Sequence, residues 1–228
     1  MRISNEDSCV SNPDAGLFLV ADGMGGHAAG EIASQLAARA INEWVTAHQN
    51  SEAPADMLQA GATEANHRVF EAQRKDRSLA GMGSTLTAML FRDSKYYIAH
   101  VGDSRAYRLR GDELEQLTRD HSLVWHLYEN GVLEKTEISR HPQKNLITRS
   151  IGSHPEVEID LEIGEGLPED VYLLCSDGLT DGVTEEEISS ILSANRTSPQ
   201  KIADLLVDRA NEAGGPDNIT VIVIRLSQ

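Results

Sequence analysis

Carboxylate side chains recur in four short motifs that lie far apart in the 228-residue sequence. In each motif the acidic residue stands at or beside an apolar, strand-like run and next to glycine or asparagine, where a chain leaves a sheet and turns. Two like charges about 4 Å apart repel by roughly 4 kcal/mol at an effective dielectric near 20, so carboxylates that converge there need cations between them. The motifs occupy residues 2–7, 22–27, 176–178 and 215–218.

Three aspartates are the strongest candidates for metal ligands, namely Asp22, Asp177 and Asp217. Each follows or precedes a predicted strand, so its side chain is expected at a strand end rather than inside a layer. Gly23, directly after Asp22, would let its own carbonyl approach a cation without steric hindrance. Carboxylate, carbonyl and water oxygens are hard donors that suit Mg²⁺ or Mn²⁺, and no Cys or His cluster of the sequence suits zinc instead.

A pair of such ions would have a definite chemistry. Two divalent cations generate a hydroxide nucleophile at neutral pH and hold the oxygens of a transferring phosphoryl group. Arg2 is the nearby residue with a planar guanidinium, which suits bidentate capture of phosphate. These groups together predict the hydrolysis of a phosphate ester without a covalent intermediate.

The composition excludes several classes of function. A formal net charge of −16 repels phosphate backbones, so nucleic acid is not expected as a partner. The sequence has no apolar run long enough to cross a bilayer and opens with no secretory leader. Cys9 and Cys175 form no disulfide framework and no metal spacing. We therefore expect a cytoplasmic protein that does not bind membranes.

The periodicity of apolar residues predicts two early helices and a later block of strands. The helices span residues 31–47 and 55–75, where apolar side chains recur every three to four positions. Strands are predicted at 84–91, 95–101, 104–110 and 113–117, and hairpin signals at 92–94 and 111–112 favour an antiparallel meander. An earlier strand spans 16–21 and ends at Asp22.

The second half of the chain alternates strands with short helices. A helix is predicted at 123–130, and strands at 157–163 and 171–175. Residues 184–187 form a capping box that opens a helix, and Ser198-Pro199 opens another with Ser198 as the cap. The run 219–226 is interpreted as a central strand. This order predicts a layered α/β fold (α-β-β-α), a central antiparallel β-sandwich with helices on both outer faces.

Taken together, the motifs resemble those of the metal-dependent Ser/Thr protein phosphatases of the type 2C class, in their compact bacterial form. The match extends from Arg2 to about Val223, and six motifs in the family's order carry it. They lie at residues 2–7, 22–27, 83–85, 102–105, 176–181 and 217–218. The resemblance implies one catalytic domain over residues 1–228, with the metals in a cleft at one end of the sandwich.

The resemblance also implies a role for each carboxylate of the core site. By position, Asp22 bridges two Mn²⁺ or Mg²⁺ ions, and the carbonyl of Gly23 binds one of them. Asp177 and Asp217 bind the other ion.

Three further residues are assigned around these ions. Glu6 and Asp7 hold metal-bound waters, and Arg2 binds the substrate phosphate. The implied reaction is direct attack of a metal-bridging water on the phosphoryl group.

A third, weaker ion is implied beside the first two. Asp103 and Asp181 match the family's positions for it, and Asp177 would be shared with it. Asn145 stands where some bacterial members place a serine near that ion. The polar segment 118–154 would be the flap beside the cleft, which influences substrate choice in this family.

The resulting hypothesis is a Mn²⁺- or Mg²⁺-dependent phosphatase that acts on phosphoserine and phosphothreonine in proteins. It would oppose a Ser/Thr protein kinase and work as a monomer. Two other classes stay open: a two-metal phosphodiesterase or nuclease, which the net charge disfavours, and a phosphatase-like module that binds phosphoproteins without hydrolysis.

Two departures from the family pattern accompany the resemblance. Eukaryotic members carry His, assigned as the general acid, where this chain has Met24. His27 is close in sequence, and metal-bound water or the absence of a dedicated acid are equal alternatives. Relatives also have a strand ahead of the Arg2 motif, so either one sheet lacks an edge strand or the sequence is part of a longer chain.

Overall fold

The computed structural model describes residues 4–25, 28–50 and 53–227. Its strands are β1 (Asp7–Asn12), β2 (Leu17–Met24), β3 (Gly83–Ser84), β4 (Leu86–Arg92), β5 (Lys95–Val101), β6 (Arg105–Arg110), β7 (Glu113–Gln116), β8 (Asp160–Glu165), β9 (Val171–Cys175) and β10 (Val221–Arg225). Its α-helices are α1 (Ala28–His48), α2 (Pro54–Lys75), α3 (Leu123–Glu129), α4 (Lys135–Ile138), α5 (Asp177–Thr180), α6 (Glu185–Ala194) and α7 (Pro199–Glu212).

The larger sheet has the strand order β1-β2-β4-β5-β8, and β3 pairs with the end of β2. All of these pairings are antiparallel. Helices α1 and α2 cover its outer face, where Ile41 and Leu58 pack with Leu19 in one fully buried cluster. The two predicted early helices are therefore confirmed, because their apolar stripes supply this layer.

The smaller sheet has the order β10-β9-β6-β7 and is also antiparallel. Helices α6 and α7 cover its outer face through Ile188, Ile202 and Leu206, which pack with Leu173. Helix α6 begins with the predicted capping box, since the Glu187 amide donates to Thr184 Oγ1 and the Thr184 amide donates to a Glu187 carboxylate oxygen.

The inner faces of the two sheets pack directly against each other. Met89 and Ile98 of the larger sheet share a buried cluster with Tyr172 and Leu174 of the smaller one. The Tyr172 ring lies edge-to-face against Phe91, with ring centroids 5.1 Å apart. The predicted α-β-β-α sandwich is confirmed, with one core between the sheets and one under each pair of helices.

The antiparallel pairing brings several chain reversals to the same end of the sandwich. Asp7, at the start of β1, pairs in register with Asp22 near the end of β2. β9 ends at Cys175, which pairs with Val221 at the start of β10, and Asp177 lies two residues further along the chain. The turn between β5 and β6 lies at this end too, because Val101 pairs with Leu86 and Arg105 pairs with Cys175.

The predicted meander over residues 84–117 is wrong. β4 and β5 form one hairpin in the larger sheet, whereas β6 and β7 form another in the smaller sheet. The turn at residues 102–104 carries the chain from one sheet to the other instead of pairing β5 with β6. β5 pairs with β8, and β6 pairs with β9.

Other predictions need smaller corrections. β2 continues past Asp22 to Met24, because Gly23 and Met24 pair with β3. β10, interpreted as central, is an edge strand among the described residues. Ser198 precedes α7 as predicted, but its side chain makes no capping hydrogen bond. Within the described ranges, no helix has both the length and the apolar character that a bilayer crossing requires.

The turn between the sheets generates a stability prediction. Gly102 has φ +111°, and a Cβ there would lie 2.7 Å from the side chain of Thr85. Gly111 has φ +57°, and a Cβ there would meet no atom within 4 Å. We expect Gly102→Ala to lower the free energy of unfolding by at least about 2 kcal/mol more than Gly111→Ala, since only the first adds a clash to backbone strain. Urea denaturation of both variants measures the difference, and equal losses would contradict this packing.

Candidate functional site

The first pair of acidic side chains joins the two neighbouring strands β1 and β2. Asp7 and Asp22 lie opposite each other, and their carboxyl groups are within hydrogen-bonding contact. The hydroxyl of Ser176 donates to Asp7 Oδ2 at 2.8 Å, so the smaller sheet holds this carboxylate of the larger one. The pair therefore lies where the two sheets meet.

The backbone around Asp22 is held by two hydroxyl residues. Its amide donates to Thr85 Oγ1 at 2.8 Å, and its carbonyl accepts from the Thr85 amide at 2.8 Å and from Ser84 Oγ at 3.0 Å. Thr85 Oγ1 also lies 2.7 Å from Ser104 Oγ, in the turn between the sheets. These bonds fix the strand end from which the Asp22 side chain projects.

Asp177 and Asp217 come from the smaller sheet. Asp177 opens the short helix α5, and its carboxyl group is within hydrogen-bonding contact of Asp22. Asp217 lies close to both, since its charge acts on the carboxyl groups of Asp177 and Asp7. Gly178 makes this approach possible, because a Cβ there would lie 2.0 Å from the Asn218 carbonyl oxygen and 3.4 Å from Asp217 Cβ.

Asn218 fastens the first described residues of the chain to this cluster. Its Oδ1 accepts from the Glu6 amide at 2.9 Å, and its Nδ2 donates to the Ser4 carbonyl at 3.1 Å. Glu6 is buried, and its carbonyl accepts from the Gly23 amide at 3.0 Å. A Cβ on Gly23 would lie 2.0 Å from the Gly30 carbonyl oxygen, so close packing against α1 is a further reason for glycine at this position.

Burial, together with neighbouring charges, disfavours the ionisation of Asp7, Asp22, Asp103 and Asp177. Burial, followed by the charges of Asp177 and Asp7, raises the pKa of Asp22 to about 10. Burial and the neighbouring charges of Asp181 and Asp217 raise the pKa of Asp177 to about 6. Burial also raises the pKa of Asp7, and burial with the charge of Asp177 raises the pKa of Asp103. The cluster is therefore short of positive charge.

Two carboxylate oxygens of the cluster have no partner among the described residues of the protein. Asp7 Oδ1 and Asp177 Oδ1 are buried without a hydrogen-bond partner. In the described part of the chain, no three His, Cys, Asp or Glu side chains surround a common point as metal ligands do. An all-oxygen donor set with unpaired, buried oxygens fits a hard divalent cation in its chemistry.

A second group of predicted residues lines a cavity of about 520 Å³ next to this cluster. Asp103, Asp177, Asp181 and Asn145 all contribute to its wall. Lys144 lines it as well, and its Nζ lies 2.7 Å from Asp181 Oδ1. The cavity separates the segment that contains α3 and α4 from the start of α6.

Other polar side chains near Asp103 are already hydrogen-bonded. The guanidinium of Arg105 forms three hydrogen bonds with the carboxylate of the buried Asp120, the shortest of them 2.6 Å. His121 Nδ1 accepts from the Gly102 amide at 3.0 Å, and the His121 amide donates to the Gly102 carbonyl at 2.7 Å. His121 therefore has a structural role, since it holds the turn that presents Asp103.

The structure thus brings together Asp7, Asp22, Asp177 and Asp217, with Glu6 and Gly23 beside them, and gathers Asp103, Asp181 and Asn145 around one cavity. Arg2, predicted to bind phosphate, lies outside the described residues, as does His27.

Sequence reasoning assigned no role to several residues of this region. Ser84, Thr85, Ser176 and Asn218 all stand inside the quoted motifs, next to the acidic positions, which is the signal that could have identified them. Lys144 has no such signal, because its partner Asp181 lies far away in the chain.

The fold and the clustered carboxylates define a known class of structure. The chain matches the crystal structure of the Mycobacterium tuberculosis serine/threonine phosphatase PstP/Ppp with a TM-score of 0.91 and 40% identity, over 100% of this chain and 94% of that one. The catalytic domain of PstP in complex with two manganese ions matches with a TM-score of 0.89 and 38% identity, over 100% and 94% of the two chains.

Sequence comparison agrees with the structural match. The family model described as protein phosphatase 2C matches residues 2–209. The serine/threonine phosphatase stp of Listeria innocua is 41% identical over 98% of this chain and 91% of its own length. The chain therefore belongs to the protein phosphatase 2C family and is a serine/threonine phosphatase of that type.

The raised pKa values predict how stability depends on pH when chelator removes divalent metal. The pKa of Asp22 is about 10 in the folded state and 3.8 as the ordinary value, so the folded state binds its proton more tightly. Stability from this group is therefore present at low pH and is lost as the pH rises from about 4 towards 10, by up to about 1.4 kcal/mol per pH unit.

We expect the wild-type protein in chelator to be less stable at pH 8 than at pH 6, and Asp22→Asn to lose less over the same interval. Asp208→Asn, which changes an exposed carboxylate on α7, should keep the wild-type dependence. Urea denaturation at the two pH values measures this. Equal losses in Asp22→Asn and Asp208→Asn would contradict it.

Proposed function

We propose that this protein hydrolyses phosphoserine and phosphothreonine on other proteins with two Mn²⁺ or Mg²⁺ ions, as one catalytic domain over residues 1–228. The observation that carries the proposal is the meeting of Asp7, Asp22, Asp177 and Asp217 at one end of the sandwich, with two buried carboxylate oxygens unpaired. The manganese-bound structure of PstP, which shares this fold, supports the same choice of metal.

The proposed ligands follow from the chemistry of the donors. Asp22 would help to hold the two ions, since its carboxyl group lies between carboxylates from both sheets. The carbonyl of Gly23 would help to hold one ion, and Asp177 and Asp217 would help to hold the other. When bound, the ions activate water as a nucleophile and neutralise the charge of the transferring phosphoryl group.

The remaining residues of the core site would orient water or bind the substrate phosphate. Ser176 holds Asp7 through one carboxylate oxygen and leaves the other, Oδ1, free to orient water. Glu6 lies buried beside it, fixed through its backbone by Asn218 and Gly23. We propose Arg2 as the group that binds the substrate phosphate, because a guanidinium matches phosphate oxygens in a bidentate way.

A weaker third ion is proposed beside the core site. Asp103, Asp181 and Asn145 share one cavity with Asp177, and the pKa of Asp103 is raised by burial and by the charge of Asp177. We also propose that segment 118–154 acts as a flap that influences substrate choice, since it forms much of the opposite wall of this cavity.

The proposed partners follow from the chemistry of the substrate. Phosphate on serine or threonine is introduced by a Ser/Thr protein kinase, so this enzyme would act in opposition to one, as a monomer in the cytoplasm. The formal net charge of −16 supports proteins rather than nucleic acid as substrates.

Phosphate release from a phosphothreonine peptide in Mn²⁺ tests the proposal. We expect Asp22→Asn and Asp177→Asn each to lower the rate at least about a hundredfold, because each removes a ligand carboxylate from the ions that activate water. Chelator should abolish the wild-type rate. Asp208→Asn serves as the matched control and should keep full activity.

The same assay separates the alternatives. Faster hydrolysis of a chromogenic phosphodiester than of a monoester would indicate a diesterase. Binding of the phosphopeptide without any turnover would indicate a recognition module. Manganese-dependent turnover retained in both Asp variants would refute the assigned site.

A further inference from the structure

One ion pair of the flap ends on a proposed metal ligand. Lys144 Nζ lies 2.7 Å from Asp181 Oδ1, and only 31% of the Lys144 side chain and 19% of the Asp181 side chain are exposed. Asp181 directly follows α5, whose first residue is Asp177. The lysine therefore brings a positive charge from the flap to the edge of the carboxylate cluster.

This ion pair is the contact that fastens the loop of residues 139–146, here called the flap loop, to the other wall of the cavity. Most other hydrogen bonds of the flap loop are local: the amides of Arg140, His141 and Lys144 donate to carbonyls three residues earlier, and the Gln143 amide donates to His141 Nδ1. The carbonyl of the last residue of the loop, Leu146, also accepts from the Leu123 amide at 2.9 Å, which ties this end of the loop to the start of α3 within the flap. Asp181 thus ties the middle of the flap loop to the α5 side of the cavity.

Asp181 cannot serve Lys144 and a divalent cation equally well. The ammonium group takes one carboxylate oxygen as a charge-assisted acceptor, and a dication on the same carboxylate would repel it at short range. Divalent cations also require closely approaching oxygen ligands, which a side chain engaged by an ammonium group supplies less readily.

We propose that Lys144 is an internal counter-cation of Asp181 that competes with the third divalent ion, so that the flap loop is docked without that ion and released with it. This inference rests on the proposed function, since it takes Asp181 as a ligand of that ion. It makes Lys144 a positioning residue that couples metal occupancy to the flap.

The chain contains a matched control for the charge of Lys144. Lys135 in α4 pairs with Glu185 at the start of α6, with Nζ 3.0 Å from Oε2. This second ion pair also joins the flap to the α6 side of the same cavity, but Glu185 is not a proposed ligand. Lys135→Met removes the same charge from the same flap and leaves Asp181 engaged.

Calorimetric titration with Mn²⁺ is the primary test, because it reads equilibrium binding rather than turnover. In Lys144→Met we expect the weakest site to bind about two- to tenfold more tightly than in wild type, the range expected for losing a partly exposed ion pair and its repulsion of a dication. Lys135→Met should stay within about twofold of wild type. In an Asp181→Asn background, Lys144→Met should bring no gain.

Hydrogen exchange of the flap loop gives a second readout. In wild type, exchange at residues 139–146 should accelerate when Mn²⁺ fills the weakest site. In Lys144→Met it should be fast at every Mn²⁺ concentration. A melting temperature near that of wild type confirms that both lysine variants are folded.

Each alternative outcome is decisive. An unchanged or weaker third site in Lys144→Met, an equal gain in Lys135→Met, or no third ion in either wild type or Lys144→Met would overturn the inference. A third ion that binds only in Lys144→Met would support it. Loss of the two tighter ions from wild type would instead refute the proposed function, so the two failures are distinguishable.

Discussion

Mutual repulsion among acidic side chains governs one end of this sandwich. Asp7 and Asp22 come from the larger sheet and Asp177 from the smaller one, and burial, followed by the charges of neighbouring carboxylates, raises the pKa of each. Such a cluster would relax by moving apart if its backbone allowed it. The arrangement persists because each carboxylate is attached to a strand end that other contacts hold in place.

Those contacts are short hydrogen bonds across the boundary between the sheets. Thr85 holds the backbone of Asp22 and contacts Ser104 in the crossing turn, while Ser176 reaches from the smaller sheet to Asp7. Asn218 adds the chain just before β1 to the same assembly. These bonds keep the acidic side chains together at one end of the sandwich, despite the cost of burying them side by side.

Two positively charged side chains near the site form ion pairs of different kinds. Arg105 forms a buried, multiply hydrogen-bonded pair with Asp120, which is therefore unable to serve as a metal ligand. Lys144 forms a single, partly exposed contact with Asp181. The first pair is part of the scaffold, because breaking it would leave a charge unpaired in the interior. The second can be exchanged, which is why it suits a coupling between the flap and a cation.

The sequence alone was sufficient for the elements that depend on local pattern. Apolar periodicity located α1 and α2, the Thr184 capping box located the start of α6, and the motifs contained carboxylates that the structure brings to one end of the sandwich. Sheet membership was decided only by tertiary packing. A short turn such as residues 102–104 has the same local signal whether it closes a hairpin or crosses between sheets, and only the partners β8 and β9 distinguish the two. The contact between Lys144 and Asp181 also could not be predicted from local sequence, since a contact between distant segments exists only once the layers are stacked.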